Sequence, residues 1–336
     1  MRQPQPAPRR RSPRLLAAPL LAITAVSPLA EAETLFSIKS ENDAYVGAGD
    51  GHYTNGLEIA WAVETPADHW SHGIAGLVPG WEPEDVAGMS FRLGHRIYTP
   101  ERIEVAAPQP DDRPYAGVLY AGASIHGLAE HDGWHETRSL HLDTGIVGPS
   151  AGGEWVQETF HEYIAGQKPR GWDYQLSDEA FLDLGYEHAW VDEFAIGPLD
   201  FEYGPTAGFM LGNRYTYASA GLNFRFGSHL DRSYGVPTIA PAQGQRAFFR
   251  RGDGLGWYVF ASAEGRYMAR NMLLDGNTHK DSPSVDREPW VGDAQIGFAV
   301  NWDRWQLAYT VALRTKEFDT QERRDNFGSL TLSMWL

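Results

Sequence analysis

The sequence predicts an all-β fold: an antiparallel transmembrane β-barrel of about twelve strands with a short helix in one extracellular loop. Three observations support this prediction. Apolar residues alternate with small or polar ones over many short segments, and the last segment runs to the final residue, Leu336. Aromatic residues are abundant, with 12 Trp, 15 Tyr and 15 Phe, as the interfacial girdles of a barrel require. No segment has the roughly 20 apolar residues of a membrane-spanning helix.

Two segments show the alternation most clearly. Every second residue is Leu, Ile, Trp or Val in 57–63, and Trp, Leu, Tyr or Val in 305–313. In a soluble sandwich such a face points into the core, whereas in an outer-membrane barrel it points to lipid and the polar face lines the interior. We therefore expect Arg92, Arg96 and Arg314, which alternate with apolar or small residues, to fill the lumen with charge pairs.

Counting the alternating runs in chain order gives twelve strands. They are 34–42, 54–64, 88–98, 115–127, 137–147, 179–191, 194–209, 213–227, 255–267, 289–301, 304–316 and 326–336. An even number places both chain ends on the periplasmic side and five loops outside, namely 43–53, 99–114, 148–178, 268–288 and 317–325. Segment 228–254 falls on the periplasmic side but is long for such a turn, which would also fit a miscounted strand.

The N-terminus predicts export. Several arginines are followed by the apolar run 15–26 and then by Ala30-Glu31-Ala32, which is the order of a secretory signal peptide. We expect residues 1–32 to be removed and residues 33–336 to form one barrel domain, because no linker or internal repeat divides them. There is no cysteine, which excludes disulfides and thiolate chemistry.

The chain is acidic, with a formal net charge of −16. This argues against nucleic acid as a partner, because nucleic-acid binding is dominated by Lys and Arg contacts to phosphate. Two interpretations remain. The surface is either simply soluble and self-repelling, or it works beside anionic lipid with divalent cations between the two.

A polar group lies at the first predicted hairpin. Asn42 and Asp43 end the first strand and Thr54 begins the second, so one hairpin holds all three at the outer rim. Carboxylate and amide oxygens are ligands that a hard divalent cation such as calcium prefers. The alternative is that Asn-Asp followed by Gly47 is only turn chemistry.

The third outer loop contains a predicted helix, roughly Gly153 to Ala165. On it Glu154, Gln157 and His161 share one face, while Val156, Phe160, Tyr163 and Ile164 form an apolar stripe. The helix can therefore lie on the barrel with its polar edge toward the first hairpin. His161 is a candidate general base, because a neutral imidazole can take a proton from water, although an exposed helical histidine usually has no such role.

Two further features leave alternatives open. No Gly-x-Ser-x-Gly elbow occurs, which weakens a serine hydrolase of the α/β type but does not dismiss Ser124 or Ser150 in a barrel. The segment 112–117 is a turn that leads into the fourth strand, and Arg113 within it could also reach a lipid phosphate.

At these residues the sequence resembles the LpxR family of lipid A 3′-O-deacylases, which are outer-membrane enzymes. The likeness spans most of the chain after residue 32 and keeps the order of the motifs. The motifs are Glu41-Asn42-Asp43, Tyr53-Thr54-Asn55-Gly56, Tyr98-Thr99-Pro100, Asp112-Arg113-Pro114-Tyr115-Ala116-Gly117, the stretch from Gly148-Pro149 to His161, and Gly171-Trp172-Asp173-Tyr174-Gln175-Leu176.

The resemblance implies a twelve-stranded barrel, calcium dependence, and a site between the barrel wall and a loop helix on the outer side. Asn42 and Asp43 would hold the cation, Thr54 would position substrate or water, and His161 would be the base. The substrate would be the 3′-linked acyloxyacyl ester of lipid A in the lipopolysaccharide of the outer leaflet. A phospholipase acting on outer-membrane lipids, or a non-catalytic barrel or small pore, is the alternative.

Two positions depart from the pattern that the resemblance implies. Six residues after His161, where an acidic ligand is expected, the chain has Gln167. The basic pair expected shortly after Tyr98-Thr99-Pro100 is Val105-Ala106 here, which leaves Arg102 and Arg113 as the nearest cations. Both departures concern substrate binding more than the chemical step.

Overall fold

The computed structural model describes residues 33–47, 52–164, 168–237 and 249–336, with the side chains of Tyr163 and Ile164 left out. The predicted leader, 1–32, lies outside these ranges. Twelve antiparallel strands close into a barrel in which each strand pairs with its sequence neighbours and β1 pairs with β12. The predicted fold class is therefore confirmed. No described helix is both long and apolar enough to cross a membrane.

The strands follow one another in simple up-and-down order. They are β1 (Thr34–Asn42), β2 (Tyr53–Glu64), β3 (Val86–Tyr98), β4 (Ala116–His131), β5 (Trp134–Val147), β6 (Glu179–Ile196), β7 (Leu199–Gly212), β8 (Tyr215–Ser228), β9 (Gly252–Asn271), β10 (Trp290–Asp303), β11 (Trp305–Arg314) and β12 (Asp325–Trp335). Leu336 N donates to the carbonyl of Thr34 at 2.9 Å, so both ends of the barrel domain meet. We call that end the terminal end and the opposite one the loop end.

Most predicted boundaries hold within a few residues, but the β6–β7 turn was predicted too early. The strand was predicted to end at 191, whereas β6 continues to Ile196 and pairs with β7 through Leu199. The turn lies at Gly197, whose φ of 65° favours glycine. Acidic residues near a barrel end are compatible with a strand, because they project beyond the apolar band.

The two faces of the wall differ as the alternation predicts. Outward side chains such as Leu57, Leu93 and Leu332 are exposed, with 41–52 % of their surface accessible. Inward side chains on the same strands, including Glu58 and Arg92, are buried. A water-soluble sandwich would bury the apolar face instead, so the arrangement is that of a barrel whose outside meets lipid.

One ion-pair chain runs through the lumen from β3 by way of β5 and the β7–β8 hairpin to β6. Arg92 pairs with Asp143, Asp143 with Arg214 at 3.3 Å, and the hairpin residue Arg214 with Asp183 at 2.6 Å. All four residues are less than 5 % exposed. The predicted role of Arg92 as a lumen-filling cation is therefore confirmed.

A second lumen cluster centres on Asp293 of β10. Its carboxylate accepts from Arg314 of β11 at 2.8 Å and from Arg266 of β9. Arg96 lies elsewhere in the lumen, with its guanidinium over the ring of Tyr120 at 4.7 Å. Buried cations and carboxylates thus fill the interior together, as a desolvated charge requires.

The long connection between β8 and β9 folds against the lumen at the terminal end. Leu230 and Val236 pack against the inward-facing Tyr258 and Phe260 of β9. A bridge between Ser233 and Phe249 holds the two described parts of the segment together. The strand count is therefore correct, and the length of this connection is explained in its described parts by apolar contacts that close the barrel interior.

Three helices accompany the strands in the described ranges: α1 (Trp70–Ala75), α2 (Gly153–Ile164) and α3 (Met272–Asp275). The predicted loop helix is α2, and the predicted last residue, Ala165, lies outside the described residues. The other two are one or two turns long, too short to give a periodic sequence signal.

Candidate active site

The β1–β2 hairpin brings Asn42, Asp43 and Thr54 together at the loop end. The Nδ2 of Asn42 donates to the carbonyl of Thr54 at 2.8 Å, and its Oδ1 accepts from the backbone N–H of Ala44 at 2.8 Å. Asp43 begins a single 3-10 turn, Asp43–Tyr45, and is only 5 % exposed. Asn42 thus stabilises the turn, as the alternative interpretation of the sequence expected. The same contacts hold it beside Thr54.

Thr54 occupies an irregular position in β2. The register between β2 and β3 shifts between Tyr53 and Asn55, so Thr54 is the extra residue of a bulge. Bulges re-aim a side chain and are common beside active sites. The Oγ1 of Thr54 lies 2.8 Å from the Oγ1 of Thr99, just beyond β3, which holds this hydroxyl at the rim.

Asn42 lies on the outer side of the wall. The residues of β1 that point into the lumen are buried, and Asn42 belongs to the other, outward set. The turn that follows lies along the outside of β12 and β11. A Cβ on Gly328 would come within 2.7 Å of Tyr45 Cβ, and the hydroxyl of Tyr309 donates to the carbonyl of Tyr45 at 2.9 Å. The candidate site is therefore separate from the charged lumen.

The start of α2 packs closely on the outer wall. A Cβ on Gly117 of β4 would lie 2.9 Å from the backbone nitrogen of Gly153, so only glycine permits this approach. The turn before the helix begins at Gly148, whose φ of 112° also favours glycine. The glycines of two sequence motifs thus meet at one contact between strand and helix.

Trp172 anchors the middle of the helix. Its Nε1 donates to the Oε1 of Gln157 at 2.8 Å, and its ring packs with Ile97 and Tyr115, against which Val156 also lies. Trp172 is 2 % exposed, so it lies between helix and wall. It therefore anchors α2 on the barrel.

His161 follows Gln157 by one helical turn on the same face of α2, and it is 9 % exposed. On the other side of the helix, Trp155 and Phe160 are 71 % and 49 % exposed. The predicted stripe is thus divided, since Val156 packs on the wall whereas Phe160 faces outward. The structure places His161 on the face of α2 that is turned away from solvent, and α2 itself lies against β3 and β4.

Other residues considered from the sequence have different surroundings. Ser124 is 2 % exposed in the lumen, and the hydroxyl of Ser150 donates to Asp178 at 2.7 Å. Arg113 is 1 % exposed, lies over the ring of Tyr98 at 4.6 Å and pairs with Glu317 at 3.4 Å. The suggestion that Arg113 reaches a lipid phosphate is therefore wrong, because its side chain is buried. Gln167 lies outside the described residues.

His95 is a further polar residue near α2 that was not predicted from the sequence. It occupies an outward position of β3, and its Nε2 donates to the carbonyl of Ala151 at 3.0 Å, just before α2. A polar residue in an otherwise apolar outward series, after Phe91 and Leu93, is the signal that could have identified it. His95 helps to join α2 to the wall.

A charged histidine lies near the hairpin at the loop end. His52 lies between Asp325, at 2.7 Å from Nδ1, and Asp112, at 3.2 Å from Nε2. Burial lowers its pKa, but the hydrogen bonds to Asp112 and Asp325 and the charge of Asp325 outweigh burial and raise the pKa to about 9. The imidazolium thus links the loops after β1 and β3 to the start of β12.

No group of three or more His, Cys, Asp or Glu side chains is arranged to hold a metal ion in the described part of the chain. The side-chain oxygens of the predicted site are those of the Asp43 carboxylate, the Asn42 amide and the Thr54 hydroxyl.

Comparison with known proteins agrees with this architecture. The family model described as outer membrane protein LpxR matches residues 15–336. The chain belongs to the LpxR family. Among solved structures, LpxR from Salmonella typhimurium matches with a TM-score of 0.76 and 20 % identity, covering 90 % of this chain and 100 % of that one. The β domain of the Bordetella autotransporter BrkA matches with a TM-score of 0.46 and 9 % identity, covering 90 % and 98 % of the two chains. A search of curated protein sequences finds no match.

Membership of the LpxR family indicates an outer-membrane enzyme that modifies lipid A. The likeness to the Salmonella structure supports the same barrel fold. The outward hairpin and the helix that covers the neighbouring strands are the parts of this barrel that carry the candidate residues.

Proposed function

We propose that the protein hydrolyses the 3′-linked acyloxyacyl ester of lipid A in the outer leaflet, in a calcium-dependent reaction, with its active site facing the cell exterior. The observation that carries the proposal is the position of the polar hairpin on the outer wall of an LpxR-family barrel. An ester of a membrane lipid can reach that wall by lateral diffusion. It would not need to enter the lumen.

In this proposal His161 is the general base. Its imidazole takes a proton from a water molecule, whose oxygen attacks the ester carbonyl carbon. The bond between that carbon and the 3′ oxygen of the sugar then breaks, and the sugar oxygen receives the proton. The products are a free acyloxyacyl acid and a 3′ hydroxyl. A positioned base of this kind contributes about 10²–10⁴-fold to the rate.

The cation site would consist of Asp43 and Asn42. Asp43 offers a buried carboxylate, and the amide oxygen of Asn42 retains a second lone pair after accepting from Ala44. These hard oxygen donors fit calcium but are few, so water and substrate oxygens would complete the six to eight ligands that calcium takes, roughly. When bound, calcium supplies positive charge beside the ester carbonyl oxygen.

Thr54 would orient the water or the substrate at the rim. Its hydroxyl is already hydrogen-bonded to Thr99 at 2.8 Å, and its backbone carbonyl is held by Asn42. A group restrained on two sides loses little freedom when a ligand binds, which favours a positioning role.

The alternatives have less support. A small pore needs an open interior, whereas ion pairs such as Arg214–Asp183 and Asp293–Arg314 are buried across this lumen. A phospholipase would use the same outer wall, but no described contact favours a glycerophospholipid over lipid A.

The test is mass spectrometry of lipid A from cells that express the protein or its His161→Ala variant, each with calcium or with a chelator. We expect a 3′ acyloxyacyl group to be lost only when both His161 and calcium are present. Release of fatty acid from ordinary phospholipid with lipid A unchanged would reject the proposal in favour of a phospholipase. Unchanged lipids despite a folded barrel would reject hydrolysis altogether.

A further inference from the structure

A groove lies on the outside of the barrel at the loop ends of β10, β11 and β12. Its volume is about 970 Å³. The floor consists of Gly292 and Ala294 of β10 and Leu313 of β11, and the rim carries Lys316, Arg323 and Arg324. The groove therefore joins an apolar wall to a cationic edge.

The floor is recessed and rigid. The small residues Gly292 and Ala294 stand between Trp290 and Ile296, which are 68 % and 63 % exposed on the same outward face. Thr315 holds the edge of the floor, since its backbone N–H donates to the carbonyl of Gly292 at 2.9 Å and its Oγ1 accepts from Gly292 N at 2.9 Å. The recess thus exists without a ligand and continues onto the lipid-facing wall.

The rim of the groove carries a net positive charge, although the chain as a whole is acidic. Among the residues that the structure describes, neither Lys316 nor Arg324 has a carboxylate partner. Arg323 pairs with Glu101 at 2.7 Å but keeps 79 % of its side chain exposed. Glu322 is an exposed carboxylate at the same rim. With Glu101, whose side chain is 38 % exposed, the rim has three cations and two carboxylates, and this net positive charge favours an anionic ligand in a protein whose net charge is −16.

The charged residues beneath the rim cannot serve the same purpose. Arg314 and Asp293 also line the groove, but they are 1 % and 5 % exposed and pair with each other at 2.8 Å. Arg113, the other cation considered for phosphate binding, is buried against Glu317. The exposed rim is therefore the region that offers charge to a ligand approaching along this wall.

The groove is close to the candidate active site. Asn42 of β1 is paired with Gly328 of β12, and Leu313 of β11 is paired with Asn326, two residues before Gly328. Two strand spacings separate β1 from β11, which is roughly 10 Å. A lipid held in the groove would thus place its sugar beside the hairpin that carries Asn42 and Asp43.

We propose that this groove binds the phosphorylated sugar headgroup of lipopolysaccharide, with phosphate at Lys316, Arg323 and Arg324 and an acyl chain along Ala294 and Leu313. The shape and the charge both fit an amphipathic anion, because a free phosphate would have no use for the apolar floor. The assignment rests on the proposed function in that it identifies how the same substrate is held.

The test measures binding separately from turnover. The His161→Gln protein in detergent would be titrated with bisphosphorylated lipid A and with dephosphorylated lipid A, and the dissociation constants compared by native mass spectrometry. We expect Lys316→Glu/Arg324→Glu in this background to weaken binding of the bisphosphorylated lipid about 10- to 100-fold, because two charge-assisted contacts are lost. Binding of the dephosphorylated lipid should stay within a factor of two, by the same reasoning.

The matched control is Arg304→Glu, an exposed cation at the opposite end of the β10–β11 hairpin, which should leave both constants unchanged. Equal losses for the two forms of lipid A, or no loss at all, would overturn the inference. Phosphatidylglycerol that binds as tightly with the same dependence on Lys316 and Arg324 would also overturn the lipopolysaccharide assignment. If the groove binds lipid A but the active protein releases no acyl group, the proposed function is rejected while the groove is still the binding site for lipid A.

Discussion

The lumen and the outer wall both contain buried polar residues, but their partners differ. In the lumen, Asp293 is held by two arginines, and each arginine also has a second carboxylate partner, Glu264 or Glu317. On the wall, hydrogen bonds to neutral groups hold Asn42 and Thr54 in the hairpin that also carries Asp43. The lumen is therefore suited to stability. The wall carries the polar groups to which we assign the cation and the ester.

The largest expected effect concerns two carboxylates that are two residues apart. Asp43→Asn should lower lipid A hydrolysis by about 10²–10³-fold while the barrel folds, because charge that faces the reacting carbonyl is lost. Glu41 faces the lumen, where it pairs with Lys39 at 3.4 Å. Glu41→Gln should therefore keep most of the activity per folded molecule. Initial rates measure the activity, and heat-modifiability on gels measures the folded fraction. Equal losses of activity in the two variants would show that lumen and wall do not differ in this respect.

The next effect concerns the stability of the lumen. Asp293→Asn should lower the free energy of unfolding by about 3–5 kcal/mol, because Arg266 and Arg314 would stay buried with their carboxylate gone. Asp303→Asn, at the exposed end of the same strand, should change it by less than about 0.5 kcal/mol. Urea unfolding of refolded protein measures the difference. A similar result for both variants would show that the lumen pairs contribute little.

The loop end should lose stability at high pH. The pKa of His52 is raised from an ordinary 6.5 to about 9, so its stabilising contribution is complete below pH 6.5 and is lost as the pH rises through 9. The difference corresponds to roughly 3 kcal/mol at most. Asp325→Asn should lower the pKa of His52 and move the loss to lower pH. Proteolysis of the loops from pH 6 to 10, roughly the span that these pKa values define, would reveal it; protection that does not vary with pH in either protein contradicts the assignment.

The smallest expected effect is at the helix anchor. Trp172→Phe removes the donor to Gln157 but keeps a large ring, so the cost should be about 1 kcal/mol, confined to α2. Activity should fall several-fold, because His161 lies one turn further along the same face. Hydrogen exchange of residues 153–162 tests this directly. Faster exchange across the barrel strands as well would mean that Trp172 supports the whole fold.

Features that depend on neighbouring residues could be predicted from the sequence. Strand alternation is set by neighbouring residues, so twelve strands could be counted, and Asn42, Asp43 and Thr54 were predicted together because one hairpin contains them. The β6–β7 turn was misplaced because the end of a strand depends on pairing with its neighbour, and β6 pairs with β7 as far as Ile196 and Leu199. The packing of the β8–β9 connection could not be predicted, since it depends on lumen contacts with Tyr258 and Phe260.

The remainder of the site depends on contacts between distant segments. His161 is oriented by the bond from Trp172 to Gln157 and by the approach of Gly117 to Gly153, neither of which a single sequence reveals. The groove combines residues of β10 and β12 that only the strand register brings together. The burial of Arg113 could likewise not be predicted from the sequence, because its partner Glu317 is far along the chain.

The central claim is that catalysis occurs on the outer wall and not in the lumen. The most direct measurement compares lipid A hydrolysis by purified wild-type protein with that of His161→Gln and His126→Gln. His126 is a lumen histidine held between Ser90 at 2.8 Å and Ser139 at 2.9 Å. We expect His161→Gln to lose activity by at least about 100-fold and His126→Gln to retain it. Retained activity in His161→Gln with loss in His126→Gln would show that the chemistry takes place in the lumen.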